Sequence, residues 1–389
     1  MSETSVKTIE QEQPGLWQEL ATRSCFFIGG FGIASWAPLV PLFKTRLALN
    51  EGVLGLLLLC IGGGALVTMP LSGLAAARFG CRKVLTVAAC LYAGFLLALS
   101  QVQSFWLAVP VLLAFGASMG LVDVTVNIQA VLVEKAAGKR LMSGFHAFWS
   151  VGCFMGAGLF AVWLKLGLSP EQATGGAVLL ILLLLIIFSR HLLPYGGAQK
   201  DTSLFAVPRG IVTYIGIICC LGFVVEGAML DWSGVFLAEL KGVDFSLAGT
   251  GFAVFSAAML SMRLTGDWLT QKLGGRFVVL YGTGIAVAGF AVLLCAQNLP
   301  LLYAGFFAIG IGCANIVPVF YSLLGRQKVM PISMAVAAVS ILGYVGTLMG
   351  PAVIGFIAHR SNLYVSFGFL AVLLVVLILI ARHVYKKVL

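Results

Sequence analysis

Charge is the scarcest commodity in this chain. Asp, Glu, Lys and Arg make up 10% of its 389 residues, against 60% hydrophobic, where a soluble domain carries about 25% charged. Such a chain cannot cover its own core with polar surface, so its solvent must be lipid. Other absences narrow the chemistry. No GxxxxGK[ST] loop occurs, which argues against direct ATP drive. No HExxH or GxSxG occurs either, so no hydrolase and no enzyme is indicated. The nine cysteines lie in or beside apolar runs without metal-type CxxC spacing and read as small apolar fillers; no metal or cofactor is expected. The opening MSETSVKTIEQEQPGLWQEL is polar and acidic, with no basic stretch leading into a short apolar one, so no cleaved signal peptide is visible.

What is present is oil in long pieces. Apolar runs cover roughly 21–46, 51–77, 83–101, 105–133, 142–164, 174–190, 210–238, 246–270, 276–296, 299–325, 331–358 and 362–382. Each meets or approaches the ~20 residues a helix needs to cross a bilayer. The net charge of +10 is a matter of placement. With the amino terminus cytoplasmic, the opposite side holds only Lys44, Arg46, Lys165, Lys241 and Arg360. That is 5 of the 24 basic residues, leaving 19 inside, a positive-inside bias. Both termini are therefore expected in the cytoplasm, and no nucleic-acid partner is implied.

The runs repeat. Setting Trp36 on Trp232 also sets Gly55 on Gly251; ARFGCRKVL (77–85) matches QKLGGRFVVL (271–280) after a gap. In the fourth and tenth runs Asp123 falls on Asn315 and Glu134 on Arg326. The expectation is an all-α membrane protein with 12 transmembrane helices in two pseudo-symmetric six-helix bundles. They span residues 21–190 and 210–384, with a linker over 191–209 and cytoplasmic tails over 1–20 and 385–389.

GLAAARFGCRKVL resembles the loop 2–3 signature of the major facilitator superfamily, Gly73…Arg78-x-Gly80-x-Arg82, with Ala77 where that signature has an acid. The second copy keeps Arg263, Gly266, Asp267, Lys272, Gly274 and Arg276. GLVDVTVNIQAVLVE, LMSGFHAFWSVG, EGAMLDWSG and GCANIVPVFYSLLGR are similar to the YbjJ-like bacterial inner-membrane branch, itself distantly similar to fucose-permease-type sugar:proton symporters. The resemblance implies the major facilitator fold, an inner-membrane location, and a central cavity lined by the first, fourth, seventh and tenth runs.

The buried polar groups fall on those same runs. A charge at mid-membrane costs at least ~2.5 kcal/mol, which marks it as a functional candidate. Asp123 and Asn127 share one face of the fourth run at i,i+4. Glu226 lies roughly 15 residues into the seventh run, hence ~22 Å along it, where a carboxyl that gains and loses a proton could couple proton movement to binding. Asp231 points about 140° away and reads as a vestibule acid. Glu226, then Asp123, are the proton-coupling candidates; the alternative for each is a hydrogen-bonded structural acid. Trp36, Asn127, Trp232, Asn315 and Tyr321 are candidates for substrate contact, the tryptophans equally for packing between helices. Glu134, Arg263, Asp267, Arg326, Arg78 and Arg82 are candidates for a gate or latch at the membrane edge. His146 reads as a core histidine bonded to a neighbouring helix, or as a pH sensor. GxxxG at Gly152/Gly156 and Gly346/Gly350 allows close helix approach, and the resemblance places those two runs against the opposite half.

These features point to a secondary active transporter working by alternating access, with a small solute, protons and the lipid bilayer as partners and a monomer as the expected state. No arginine lies near mid-membrane in the first or seventh run, which favours a neutral or cationic solute, and the resemblance leans toward sugar. Proton-driven efflux of lipophilic or cationic compounds is the rival. A non-transporting sensor would need a signalling domain or long tail, and the tails are short.

Overall fold

The computed structural model describes residues 15–49, 51–197, 207–244, 247 and 249–388. The expected 1–20 tail therefore lies largely, and the 191–209 linker in part, outside the described residues. Everything regular in it is helical. In chain order the α-helices are α1 (Leu16–Trp36), α2 (Leu39–Arg46), α3 (Glu51–Phe79), α4 (Cys81–Gln101), α5 (Phe105–Ala137), α6 (Met142–Lys165) and α7 (Pro170–Phe188). Then follow α8 (Ile211–Val235), α9 (Thr250–Leu273), α10 (Gly275–Cys295), α11 (Leu299–Cys313), α12 (Ile316–Leu324), α13 (Ile332–Arg360) and α14 (Leu363–Val388). Among the described residues, ten helical stretches are long and apolar enough to cross a membrane. The two long helices outside that set are α1, which carries Glu19 and Arg23, and α9, which carries Arg263, Asp267 and Lys272.

Two of the apolar runs are broken, and proline explains both. Pro38 separates α1 from α2. Pro318, at the third position of α12, separates α12 from α11. Proline has no N–H to return to the carbonyl four residues earlier, so a continuous tenth helix would leave the Ala314 carbonyl without its donor. The chain bends there instead, with Asn315 as the N-cap of α12.

The helices pack in recurring pairs. In the first half α1 lies against α6, α3 against α5, α4 against α5, and α4 against α7. In the second half α8 lies against α13, α9 against α11, α10 against α11, and α10 against α14. These are the same pairs, counted along each repeat. Between the halves, α6 meets α9 and α3 meets α13.

Glycine sets the closest of these approaches. A Cβ on Gly116 would collide with the Ile61 carbonyl, and one on Gly64 with the Leu113 carbonyl, so α3 and α5 touch through backbone. The two GxxxG pairs make the close approaches expected of them, within their own halves. Gly152 and Gly156 abut the Phe27 and Phe31 carbonyls of α1, while Gly346 and Gly350 abut Cys220 and Val224 of α8. Both pairs therefore face their own half; it is other faces of α6 and α13 that meet the opposite half.

Gly116→Ala should destabilise the protein by about 1–3 kcal/mol through overpacking, read as a lower thermal midpoint in detergent. Gly94→Ala, where a new Cβ meets nothing within 4 Å, should leave the midpoint unchanged or slightly raised.

Candidate functional site

The polar groups that join the halves gather at one end of the molecule, where α3, α5, α9 and α12 finish and α4, α6, α10 and α13 begin. This end carries Arg78, Arg82, Lys135, Lys139, Arg140, Lys272, Arg276 and Arg326, and is called the basic end below.

Its centrepiece is the first turn of α6. The opening N–H groups of a helix have no partner within it, and the helix dipole favours negative charge there. Here two carboxylates take them. Glu134 Oε2, on α5, accepts from Leu141 N at 2.8 Å and Met142 N at 2.9 Å. Asp267, on α9 of the other half, accepts from Ser143 N and Gly144 N, each at 2.8 Å. Gly144 makes room for this, since a Cβ there would stand 2.6 Å from Asp267 Oδ2. Glu134 also accepts from the Ser322 hydroxyl of α12 and lies 3.6 Å from Arg140. Asp267 thus bonds the start of α6 from the other half, and Glu134 bonds it from α5.

The Asp267 contact has no counterpart at the equivalent position of the first half. Counting seven residues back from Gly80 and from Gly274 sets Gly73 opposite Asp267. Gly73 packs against the start of α13, its absent Cβ only 2.9 Å from the Ser333 carbonyl, and the buried Ser333 hydroxyl has no hydrogen-bond partner. The basic residues of the first signature do not cross either. Arg82 donates from Nε to the Leu192 carbonyl at 2.9 Å and from its backbone N to the Leu193 carbonyl at 2.9 Å, gripping the chain that follows α7. Arg78 lies over the ring of Phe79. Arg326 is exposed and does not pair with Glu134.

Deeper in, Arg263 joins elements of both halves. It does not pair with Asp267 one turn away; its Nη2 donates to Glu226 Oε1 at 2.9 Å. Glu226 is consequently not a lone acid in the membrane. Arg263 Nε donates to the Ala314 carbonyl at 3.1 Å, the carbonyl that Pro318 leaves free. Its Nη1 reaches the Ser150 hydroxyl of α6 at 3.2 Å, so the guanidinium ties α8, α9 and the α11–α12 break to the first half. An arginine does therefore reach the middle of the protein, from the eighth run instead of the first or seventh. Ser150 carried no signal in the sequence; Pro318, three residues after Asn315, did.

Asp123, half-buried in α5, is an acid without an ion pair. Among the described residues no cation lies within ion-pair distance of it. Asn127 Nδ2 donates to the Asp123 backbone carbonyl at 2.9 Å and reaches its carboxylate only at 3.5 Å. The Asn127 Oδ1 is buried without a partner.

The remaining candidates are mostly structural. Trp36 is buried against Phe43 and Phe115, with ring centroids 5.4 and 6.3 Å away, which removes it from any cavity. Trp232 donates from Nε1 to the Pro351 carbonyl at 3.1 Å, joining α8 to α13. Asn315 donates to the Met262 carbonyl at 3.3 Å. Tyr321 shares a 2.8 Å hydrogen bond with Ser340. His146 packs between Phe26 and Tyr321, and its buried Nε2 has no partner, so the expected bond to a neighbouring helix is absent. Asp231 is exposed.

The Major Facilitator Superfamily pattern matches residues 24–327 and again 218–387. The chain belongs to that superfamily. It is 45% identical over 377 residues to an uncharacterised MFS-type transporter of Yersinia pestis, covering 96% of this chain and 97% of that protein. It is 28% identical over 343 residues to the membrane protein MosC of Rhizobium meliloti, covering 87% of this chain and 83% of that one. Among solved structures, the fucose:proton symporter FucP of E. coli superposes with a TM-score of 0.79 at 15% identity, over 94% of this chain and 98% of that one. The proton:xylose symporter XylE gives 0.73 at 16% identity, over 96% and 95%. These likenesses establish a multi-pass membrane transporter fold.

Asp267→Ala leaves the Ser143 and Gly144 N–H groups without their anion. Hydrogen bonds to a charged group contribute about 1.5–3 kcal/mol, so a thermal midpoint several degrees below wild type is expected. An unchanged midpoint would show that the contact contributes nothing.

Proposed function

We propose that the chain is a proton-coupled secondary active transporter that moves a small solute by alternating access between two six-helix bundles. In this reading α1 and α9 complete a set of twelve spans, in spite of their charges. Those charges lie toward the basic end or on the inner faces, as with the buried Glu19 and Arg263. The matched helix pairs within each half support the two-bundle reading. The charge distribution supports a bacterial inner membrane with the basic end, and both termini, facing the cytoplasm.

The observation that carries the mechanism is the contrast between the two acids. Glu226 is held by a guanidinium at 2.9 Å, and protonating it would leave a buried cation unpaired. Asp123 has no such partner, so it can bind and release a proton without breaking an ion pair. We therefore place Asp123 first as proton carrier and assign Glu226 to positioning Arg263. With Arg263 neutralised by Glu226, the free charge near Asn127 is that of Asp123, which favours a neutral or cationic solute. Sugar is the favoured class, in line with what FucP and XylE are described as carrying.

Coupling then follows from geometry. In the described state the basic end is closed by Asp267 on α6 and by Arg263 on Ser150. Proton and solute enter from the opposite end and load at Asp123 and Asn127. The first turn of α6 is released from Asp267 as the bundles rock, and the basic end opens.

The test begins with thermal stabilisation of purified protein by sugars, nucleosides, amino acids and cationic drugs. The stabilising compound is then followed in proteoliposomes under an imposed proton gradient. Wild type should accumulate it, while Asp123→Asn should exchange it in counterflow without accumulating it. Full accumulation by Asp123→Asn would contradict the assignment of the proton. Hits confined to lipophilic cations would replace uptake by efflux. Glu226→Gln should lose both accumulation and counterflow, because an unpaired Arg263 disturbs the closed state itself.

A further inference from the structure

Near the Asp267 contact, at the basic end, the halves flank a half-open cavity of about 390 Å³. Its walls come from both sides: Lys135, Lys139 and Arg140 from the end of α5 and the turn after it, and Thr270, Ser322 and Arg326 from α9 and the end of α12. The one acid on the lining, Glu134, is turned away to the start of α6 and to Ser322. Two of the cations already have carboxylate partners, Lys139 with Glu19 at 2.6 Å and Arg140 with Glu134 at 3.6 Å. Lys135 and Arg326, one from each half, have no ion-pair partner among the described residues. The cavity is thus short of negative charge.

A second observation points to an occupant. Thr270, one of the lining residues, is 4% exposed, and its buried hydroxyl oxygen has no hydrogen-bond partner. Buried hydroxyls without a partner are uncommon. Two glycines on the same lining, Gly138 and Gly274, have positive φ (66° and 83°) and nothing within 4 Å of where a Cβ would stand, so the lining is open beside each of them. The volume falls in the range of small-ligand sites, roughly 300–1,000 Å³, and exceeds the needs of a halide or a single water.

We infer that this cavity binds a phosphate-bearing small ligand, with Lys135 and Arg326 as the charge clamp and the Thr270 hydroxyl as a donor to a phosphate oxygen. Lysine and arginine are the side chains suited to that group. Because one clamp residue comes from each half, an occupied cavity holds the basic end shut. The site is separate from the one that carries the transported solute and does not depend on which solute that is. The phosphate can come from a soluble ester or from an anionic lipid headgroup.

The full-length protein in phosphatidylcholine nanodiscs is titrated with pyrophosphate and with glycerol 3-phosphate, following the thermal midpoint against sodium chloride at equal ionic strength. A saturable rise that chloride does not give is expected. Its half-saturating concentration should increase at least tenfold in Arg326→Gln and in Thr270→Val. Thr270→Val removes only a hydroxyl that bonds nothing in the protein, so it should fold as wild type does. If the soluble phosphates have no effect but nanodiscs with one third phosphatidylglycerol raise the midpoint, and both variants lose that rise, the ligand is the lipid headgroup. No rise in either arm, or a rise that both variants retain, overturns the site.

Discussion

The first turn of α6 is where the two halves of the molecule hold each other. Its N–H groups cannot be satisfied within the helix, and in a protein with so few charges two carboxylates are committed to them, one from each half. Glu134 is local: it folds α5 back onto the helix that follows it. Asp267 is long-range and is the part that can let go. In the proposed transport cycle this directional, charged contact is made in one state and unmade in the other. A bistable contact of that kind is what a two-state transporter needs.

The single arginine of the interior depends on the same closure. Arg263 sits one turn above Asp267 on α9 and needs acceptors on three elements. Glu226 supplies the charge, Ser150 the reach into the other half, and the Ala314 carbonyl the third bond. That carbonyl is free because Pro318 has no N–H to offer it. A proline in α12 thus sets the position of a cation whose partner lies on α8. The asymmetry between the halves has an equally local origin. Where α9 has Asp267, α3 has Gly73, which packs closely on Ser333, Met334 and Ala337 of α13. One side of the interface is electrostatic and the other steric.

Much of this was legible in the sequence and some was not, for identifiable reasons. The helices and their order follow from apolar length, and the superfamily from the paired signatures around Gly80 and Gly274. Asp267 and Glu134 stood out as edge acids because so few charges compete with them. The partner of Arg263 was not legible. Same-helix spacing brings Asp267 to mind, whereas Glu226 lies 37 residues earlier, on another helix. Trp36 and Trp232 occupy equivalent positions, but their surroundings are set by α2, α5 and α13, which repeat arithmetic does not describe. The GxxxG pairs announced close packing without naming the partner, which turned out to be α1 and α8. Conversely, Pro318 could have been read further, since a proline inside an apolar run leaves a free carbonyl for some buried donor.

The most direct test is a pair of distances measured by pulsed electron resonance in nanodiscs. Spin labels at Ala136 and Lys328 report the basic end, and labels at Leu166 and Arg360 report the other. If the two bundles alternate about the α6 contact, lowering the pH or adding the stabilising solute should lengthen the first distance while shortening the second. Asp267→Ala should by itself broaden the first toward longer values. Distances that never move in opposite senses, together with an Asp267→Ala distribution identical to that of wild type, would contradict it.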